Sequence, residues 1–227
     1  MSMVNYYKMP LSELSFFLYN CLMKNLPEII PVFPLSGVIY FPKTNLPLNI
    51  FEQRYLNLVN DAYNENKLMG MVQSKKSNDD VYEVGCLGKI SDYQKIKDGR
   101  VLINLTGITR FKILKEIINN KSYREFKVDY KTFEEDKSKP LKNFDDTDLM
   151  IKTKAFFKKN GLLLNWRELE KLDHLQKINT LSMIAPITNE EKQKLLESIS
   201  LENKVKTLQS IISFYLYETD LNNQTIQ

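Results

Sequence analysis

The chain predicts an α+β protein: a β-rich first part, closed or nearly closed on itself and interrupted by one inserted helix, followed by a C-terminal helical bundle. Three observations carry this prediction. Short β-prone runs are separated by proline, glycine and polar turns between residues 29 and 133. Inside them the apolar spacing switches once to three and four residues. After residue 145 capped apolar stripes replace the β pattern. With 227 residues, 43% hydrophobic and 26% charged, the chain has enough apolar material for a real core, which excludes a disordered chain, a collagen-like fibre and a disulfide-stapled miniprotein.

Residues 1–27 form an N-terminal extension. Leu11, Leu14, Leu18, Cys21 and Leu22 suit one face of a short helix, and two readings stay open: a docking helix, or an upstream stretch with the true start at Met23. The apolar run at residues 16–23 falls far short of the roughly 20 residues that span a bilayer, and it lacks a basic leader and a cleavage site. No membrane partner is expected.

The β part covers residues 28–133. Val32 and the run Val38-Ile39-Tyr40-Phe41 are β-prone but broken by Pro31, Pro34, Pro42 and Pro47, which confines them to edge strands and corners. Residues 52–66 read as the inserted helix: Tyr55, Leu58, Val59 and Ala62 make its buried stripe, and Glu52 stands at its positive end. Leu68-Met69-Gly70-Met71-Val72 is a compact buried strand, and residues 74–80 a polar loop. Residues 83–96 read as a long strand in which Gly85 and Gly88 permit a bulge or a tight bend. Asp98-Gly99 signals a hairpin into a run at 100–105, and Gly107 starts a further run. Phe126, Val128 and Tyr130 alternate with charged residues in the last strand.

Residues 134–144 read as a linker. The helical part, residues 145–220, follows with Asp145 as a cap, Asn165 and Glu168 as a second start, a helix from His174 ended by Pro186, a capping box in Thr188-Asn189-Glu190-Glu191, and a last stripe of Leu201, Val205, Leu208, Ile212 and Tyr215. The final residues 221–227 should fray.

Two cysteines, Cys21 and Cys86, make neither a disulfide framework nor a metal cluster, and point to a reducing, cytoplasmic setting. One histidine, His174, rules out nearly every histidine-based metal site or triad. No metal ligand set, catalytic residue or cofactor is expected. The net charge of +4 is small for a nucleic-acid binder, and the excess of lysine over five arginines reads as codon drift.

Several blocks resemble a known family. Pro31-Val32-Phe33-Pro34-Leu35, Phe41-Pro42 and Leu46-Pro47-Leu48-Asn49-Ile50-Phe51-Glu52-Gln53-Arg54-Tyr55 resemble the N-terminal, substrate-binding domain of Lon-type ATP-dependent proteases. Val84-Gly85-Cys86-Leu87-Gly88-Lys89-Ile90, Asp98-Gly99-Arg100, Gly107-Ile108-Thr109-Arg110-Phe111 and Glu191-Lys192-Gln193-Lys194-Leu195-Leu196-Glu197 agree in order, over about residues 28–217. Lys43 stands where that family usually has glycine, Asn49 replaces a common histidine, and Lys204 stands near a usual arginine.

The resemblance implies a PUA-like pseudo-barrel followed by helices, and a non-enzymatic module that binds unfolded or extended polypeptide segments, with a protease or chaperone as candidate partner. The chain has no G-x-x-x-x-G-K-[ST] phosphate loop, since residues 85–90 have the wrong spacing, and no peptidase domain supplies a serine–lysine dyad. It looks like a stand-alone Lon N-domain, a monomer or weak homodimer.

Glu52, Arg54, Tyr55, Met69 and Met71 are the candidate peptide-binding residues, each with a structural reading beside the functional one: Glu52 as cap, Arg54 as ion-pair partner, Tyr55 and the methionines as core. An alternative function, RNA binding, rests on Arg110, Lys112, Arg124, Lys127 and Lys131, part of seven cations in two adjacent strands interleaved with aromatics. Strand parity argues against it, because Phe126 and Tyr130 point away from Lys127 and Lys131. Nucleic acid is therefore not the expected partner.

Overall fold

The computed structural model describes residues 26–75, 80–137 and 144–224. The helix or disordered extension expected before residue 26, most of the polar loop at 74–80 and the middle of the expected linker lie outside them.

Strand β1 (Ile29–Leu35) pairs in parallel with β3 (Leu68–Gln73) and antiparallel with β6 (Arg124–Asp129). Between β1 and β3 the chain forms edge strand β2 (Asn45–Ile50) and helix α1 (Gln53–Glu65). β4 (Val84–Lys95) runs antiparallel to β3 and, through the Asp98-Gly99 turn, to β5 (Val101–Ile117). The strand order is β2-β5-β4-β3-β1-β6, and β6 pairs back onto β5. That last pairing closes five strands into a barrel and leaves β2, with Pro47, on the edge, where a residue without an N–H is tolerated.

β5 is one 17-residue strand, where the sequence reads as two runs around Gly107. Its first half pairs with β2 and its second half with β6. A register shift opposite Leu87 and Gly88 lets it bend between these partners. A Cβ on Gly107 would lie 2.3 Å from the Phe41 carbonyl oxygen, so glycine admits the 41–44 segment against the strand. The Lys43 amide donates to the Gly107 carbonyl, and the Gly107 amide to the Thr44 carbonyl, both at 2.9 Å. Residues 38–41, β-prone in sequence, form no strand. Tyr40 is buried in the barrel core, and Ile39 and Phe41 in the core of the helical part.

The helical part comprises α2 (Thr147–Lys159), α3 (Trp166–Glu170), α4 (His174–Ile184), α5 (Asn189–Glu197) and α6 (Leu201–Gln224). Asp146 rather than Asp145 is the N-cap of α2, although the Asp145 carboxylate accepts the Thr147 amide (3.0 Å). Asn165 caps α3, and Thr188 and Glu191 close the expected capping box on α5.

The two parts are joined by buried polar contacts. Asp136, within the expected linker, is the penultimate residue of a short 3-10 segment (Lys131–Lys137) and is 1% exposed. It accepts from the amide and the guanidinium of Arg110 on β5, and that guanidinium also donates to the Leu196 and Ser198 carbonyls at the end of α5. Lys204 on α6 donates to Asn179 on α4 (2.7 Å), whose amide donates to the Pro42 carbonyl (2.9 Å).

Candidate functional site

A cavity of about 470 Å³ opens at one mouth of the barrel, where β1 and β3 end, β6 begins and β2 turns into α1. Its volume falls in the range of ligand-binding clefts. Phe33, Leu35, Leu48, Ile50 and Tyr55 supply its apolar lining, Phe51 its exposed rim, and Asn49, Ser36, Ser74 and Ser122 its neutral polar groups.

The helix stripe explains why Tyr55 is there. Tyr55, Leu58, Val59 and Ala62 face the barrel, and the Tyr55 ring lies 4.1 Å from that of Phe33. Glu52 occupies the N-cap position but makes no capping bond. Its carboxylate accepts from Arg54 Nε (3.1 Å) instead, and the Arg54 guanidinium sits 4.5 Å over the Tyr55 ring. On the opposite wall the turn before β6 is tied to α1: Asn57 donates to Ser122 Oγ (3.0 Å), and the Tyr123 hydroxyl to Asp61 (2.8 Å). Burial, with the Asp61 carboxylate adding to it, pushes the Tyr123 phenol up to about 12. Arg124 makes a two-pronged pair with Glu116, whose carboxyl those bonds hold below its ordinary value.

The structure thus brings Glu52, Arg54 and Tyr55 together in one cleft. Met69 and Met71 do not join them. β3 is flanked by β1 and β4, all six of its residues are buried, and the two methionines pack in the core beside the buried face of α1. They are core residues, as the structural reading of the sequence had them, and their place in the candidate peptide-binding set is corrected. Phe33, Leu48 and Phe51 belong to the cleft and were missed, because an apolar residue in or beside a strand looks the same in sequence whether it lines a core or a cleft.

The basic set is also redistributed. Arg110 is 2% exposed and engaged with Asp136, so it cannot reach a phosphate; its place on a nucleic-acid face is corrected. Lys112 lies 3.6 Å from Glu83 and Lys127 3.2 Å from Glu28, while Arg124 turns to Glu116. Lys131 is exposed at the start of the 3-10 segment. Among the described residues Lys112, Arg124 and Lys127 thus each meet a carboxylate, which breaks the run of positive charge.

His174 sits 3.0 Å from Asp146, which also meets Lys177. Among the described residues no cluster of three or more His, Cys, Asp or Glu is placed to hold a metal ion, and no helix is long and apolar enough to cross a membrane.

Comparison with known proteins gives a consistent result. The family model described as the ATP-dependent protease La (LON) substrate-binding domain matches residues 29–213. The Lon protease of Dictyoglomus thermophilum is 26% identical over 205 residues, covering 85% of this chain and 25% of that protein. That of Syntrophus aciditrophicus is 25% identical over 215 residues, covering 88% and 27%. The chain spans about a quarter of the length of these curated relatives. Among solved structures, the Lon N-terminal domain protein from Xanthomonas campestris aligns with a TM-score of 0.62 at 18% identity, over 80% of this chain and 97% of that one. The N-terminal domain of the Mycobacterium avium complex Lon protease aligns with a TM-score of 0.59 at 16% identity, over 82% and 98%. At these identities the structural likeness establishes the fold.

Proposed function

The chain belongs to the LON substrate-binding domain family, and from that premise we propose that it is a non-catalytic module that holds extended or unfolded polypeptide segments in the barrel-mouth cleft and hands them to a separate protease or chaperone. The observation that supports this reading is the cleft itself: an aromatic floor of Phe33 and Tyr55, an exposed Phe51 at the rim, and neutral polar groups from four elements within reach of a peptide backbone. Burial of one or two apolar side chains supplies affinity, and hydrogen bonds to the main chain tolerate many sequences. No bond need be made or broken for this task.

The test is titration of the protein with a permanently unfolded polypeptide, followed by amide chemical shifts. Saturable binding with shifts clustered at residues 33–36, 48–55 and 122–124 is expected. Saturable binding with shifts elsewhere, or no binding, overturns the reading. The RNA alternative gains no support from the strand pair, whose cations are opposed by Glu28, Glu83 and Glu116.

A further inference from the structure

Three cationic residues from three separate segments line the cleft: Arg54 of α1, paired with Glu52; Lys75, two residues past β3, with its ammonium 5.5 Å over the Tyr82 ring; and Arg124 at the start of β6. Among the described residues Glu52 is the one acidic residue in its lining. The described lining, 16 residues, therefore carries three cations and one anion, with Arg124 further met by Glu116 from outside it. A second cavity of about 440 Å³ shares Lys75 with this one, but its described lining adds two carboxylates, Glu83 and Glu197, to one further cation, Lys112. The apolar lining lies between the cations, so an occupant that buries an aromatic or branched side chain carries its neighbouring side chains past Arg54, Lys75 and Arg124.

We infer that the cleft selects extended polypeptide segments in which an aromatic or branched aliphatic side chain stands next to a carboxylate, and rejects segments in which a lysine or arginine takes that place. This rests on the cleft being the polypeptide site, and it names the class of segment held there. Lys75, which is exposed, and Arg54, which is exposed but shares its charge with Glu52 at 3.0 Å, supply the discrimination because both are long enough to meet a carboxylate at the rim. Arg124 is already shared with Glu116, which leaves it to set the local field. Attraction of this kind acts on specificity and on encounter more than on total affinity, and it is screened by salt.

The experiment uses three short labelled peptides that share one pattern of Phe and Leu and differ only in the intervening residues: Asp, Asn or Lys. Binding to the full chain is followed by fluorescence anisotropy at low and high salt. The Asp peptide is expected to bind about tenfold tighter than the Asn peptide at low salt, and the Lys peptide more weakly than either, with the spread narrowing as salt rises. The double variant Arg54→Gln, Lys75→Gln should bring the Asp peptide to within about twofold of the Asn peptide. Lys89→Gln, on the exposed face of β4, should leave the ratio intact. A single urea midpoint for the double variant and the parent establishes that both are folded.

Equal affinity for the Asp and Asn peptides, with Phe51→Ala still weakening both, overturns the charge selection and leaves the cleft as the polypeptide site. Binding of all three peptides that is indifferent to Phe51→Ala, or no binding at all, overturns the site and the selection together. Displacement of the Asp peptide by an equal concentration of single-stranded RNA overturns the inference in favour of a nucleic-acid site.

Discussion

Arg110 and Asp136 form a buried ion pair, 2.8 Å between Nη2 and Oδ1, with 2% and 1% of the two side chains exposed. The carboxylate also accepts the Arg110 amide, on the stretch of β5 between its β2-paired and β6-paired halves. A side chain thereby stands in where no strand does, while the guanidinium holds the carbonyls that end α5. The pair fastens barrel to helices.

Asp136→Ala should therefore leave a buried cation uncompensated and cost about 3–5 kcal/mol, whereas the double replacement Arg110→Met, Asp136→Leu should cost distinctly less. Urea unfolding of the two variants checks this. Equal losses would mean that the pair contributes through packing alone.

Lys204 gives the protein a pH dependence of unusual sign. Burial, and secondly the Arg110 charge, push its ammonium down to about 7 from an ordinary 10.5. Between these values the unfolded chain binds more protons than the folded one, so stability rises with pH, by at most about 1.4 kcal/mol per unit. Below about 7 both states are protonated and this contribution is flat. Cys86, whose thiol burial and then the Asp136 charge push above its ordinary 9.0, opposes the rise once unfolded thiols begin to ionise. Urea midpoints should therefore climb between about pH 7 and 8.5 in the parent and stay flatter in Lys204→Met.

Lys43 occupies φ +59°, in the left-handed region that costs a side-chain-bearing residue roughly 1–2 kcal/mol, and its ammonium meets Asp173 at 2.9 Å. The left-handed turn is thus kept here by a lysine that gains an ion pair to the N-cap of α4. Lys43→Ala keeps the backbone strain and loses the pair, while Lys43→Gly relieves the strain. Glycine should be the more stable of the two by about 1 kcal/mol, read from thermal or urea unfolding. The reverse order would show that the turn relaxes on substitution.

Phe51 is 67% exposed at the rim of the cleft. Replacing it with alanine should move the unfolding midpoint by no more than about 0.5 kcal/mol and weaken polypeptide binding about fivefold or more. Anisotropy titration with the unfolded polypeptide separates the two effects.

Much of the architecture was legible in linear order because it rests on local rules. The helix at residues 53–65 is announced by Tyr55, Leu58, Val59 and Ala62, the hairpin by Asp98-Gly99, and the α5 start by Thr188 and Glu191. Gly107 misled, because its role is to let Phe41 approach from a segment distant in sequence, and a glycine needed for a close contact looks the same in sequence as one needed for a turn. Glu52, Arg54 and Tyr55 were found as a cluster since they are adjacent. Phe33, Lys75 and Arg124, on three other segments, could be joined to them only by closure of the barrel.

By itself, then, the amino-acid order determined the succession of strands and helices, the buried faces and the family pattern, because propensity, periodicity and capping act within a few residues. Tertiary structure alone decided that Arg110 is interior and that three cations distant in sequence line one cleft. Burial and net local charge are sums over neighbours in space, and which residues become neighbours is set by the pairing of β6 with β5 that closes the sheet.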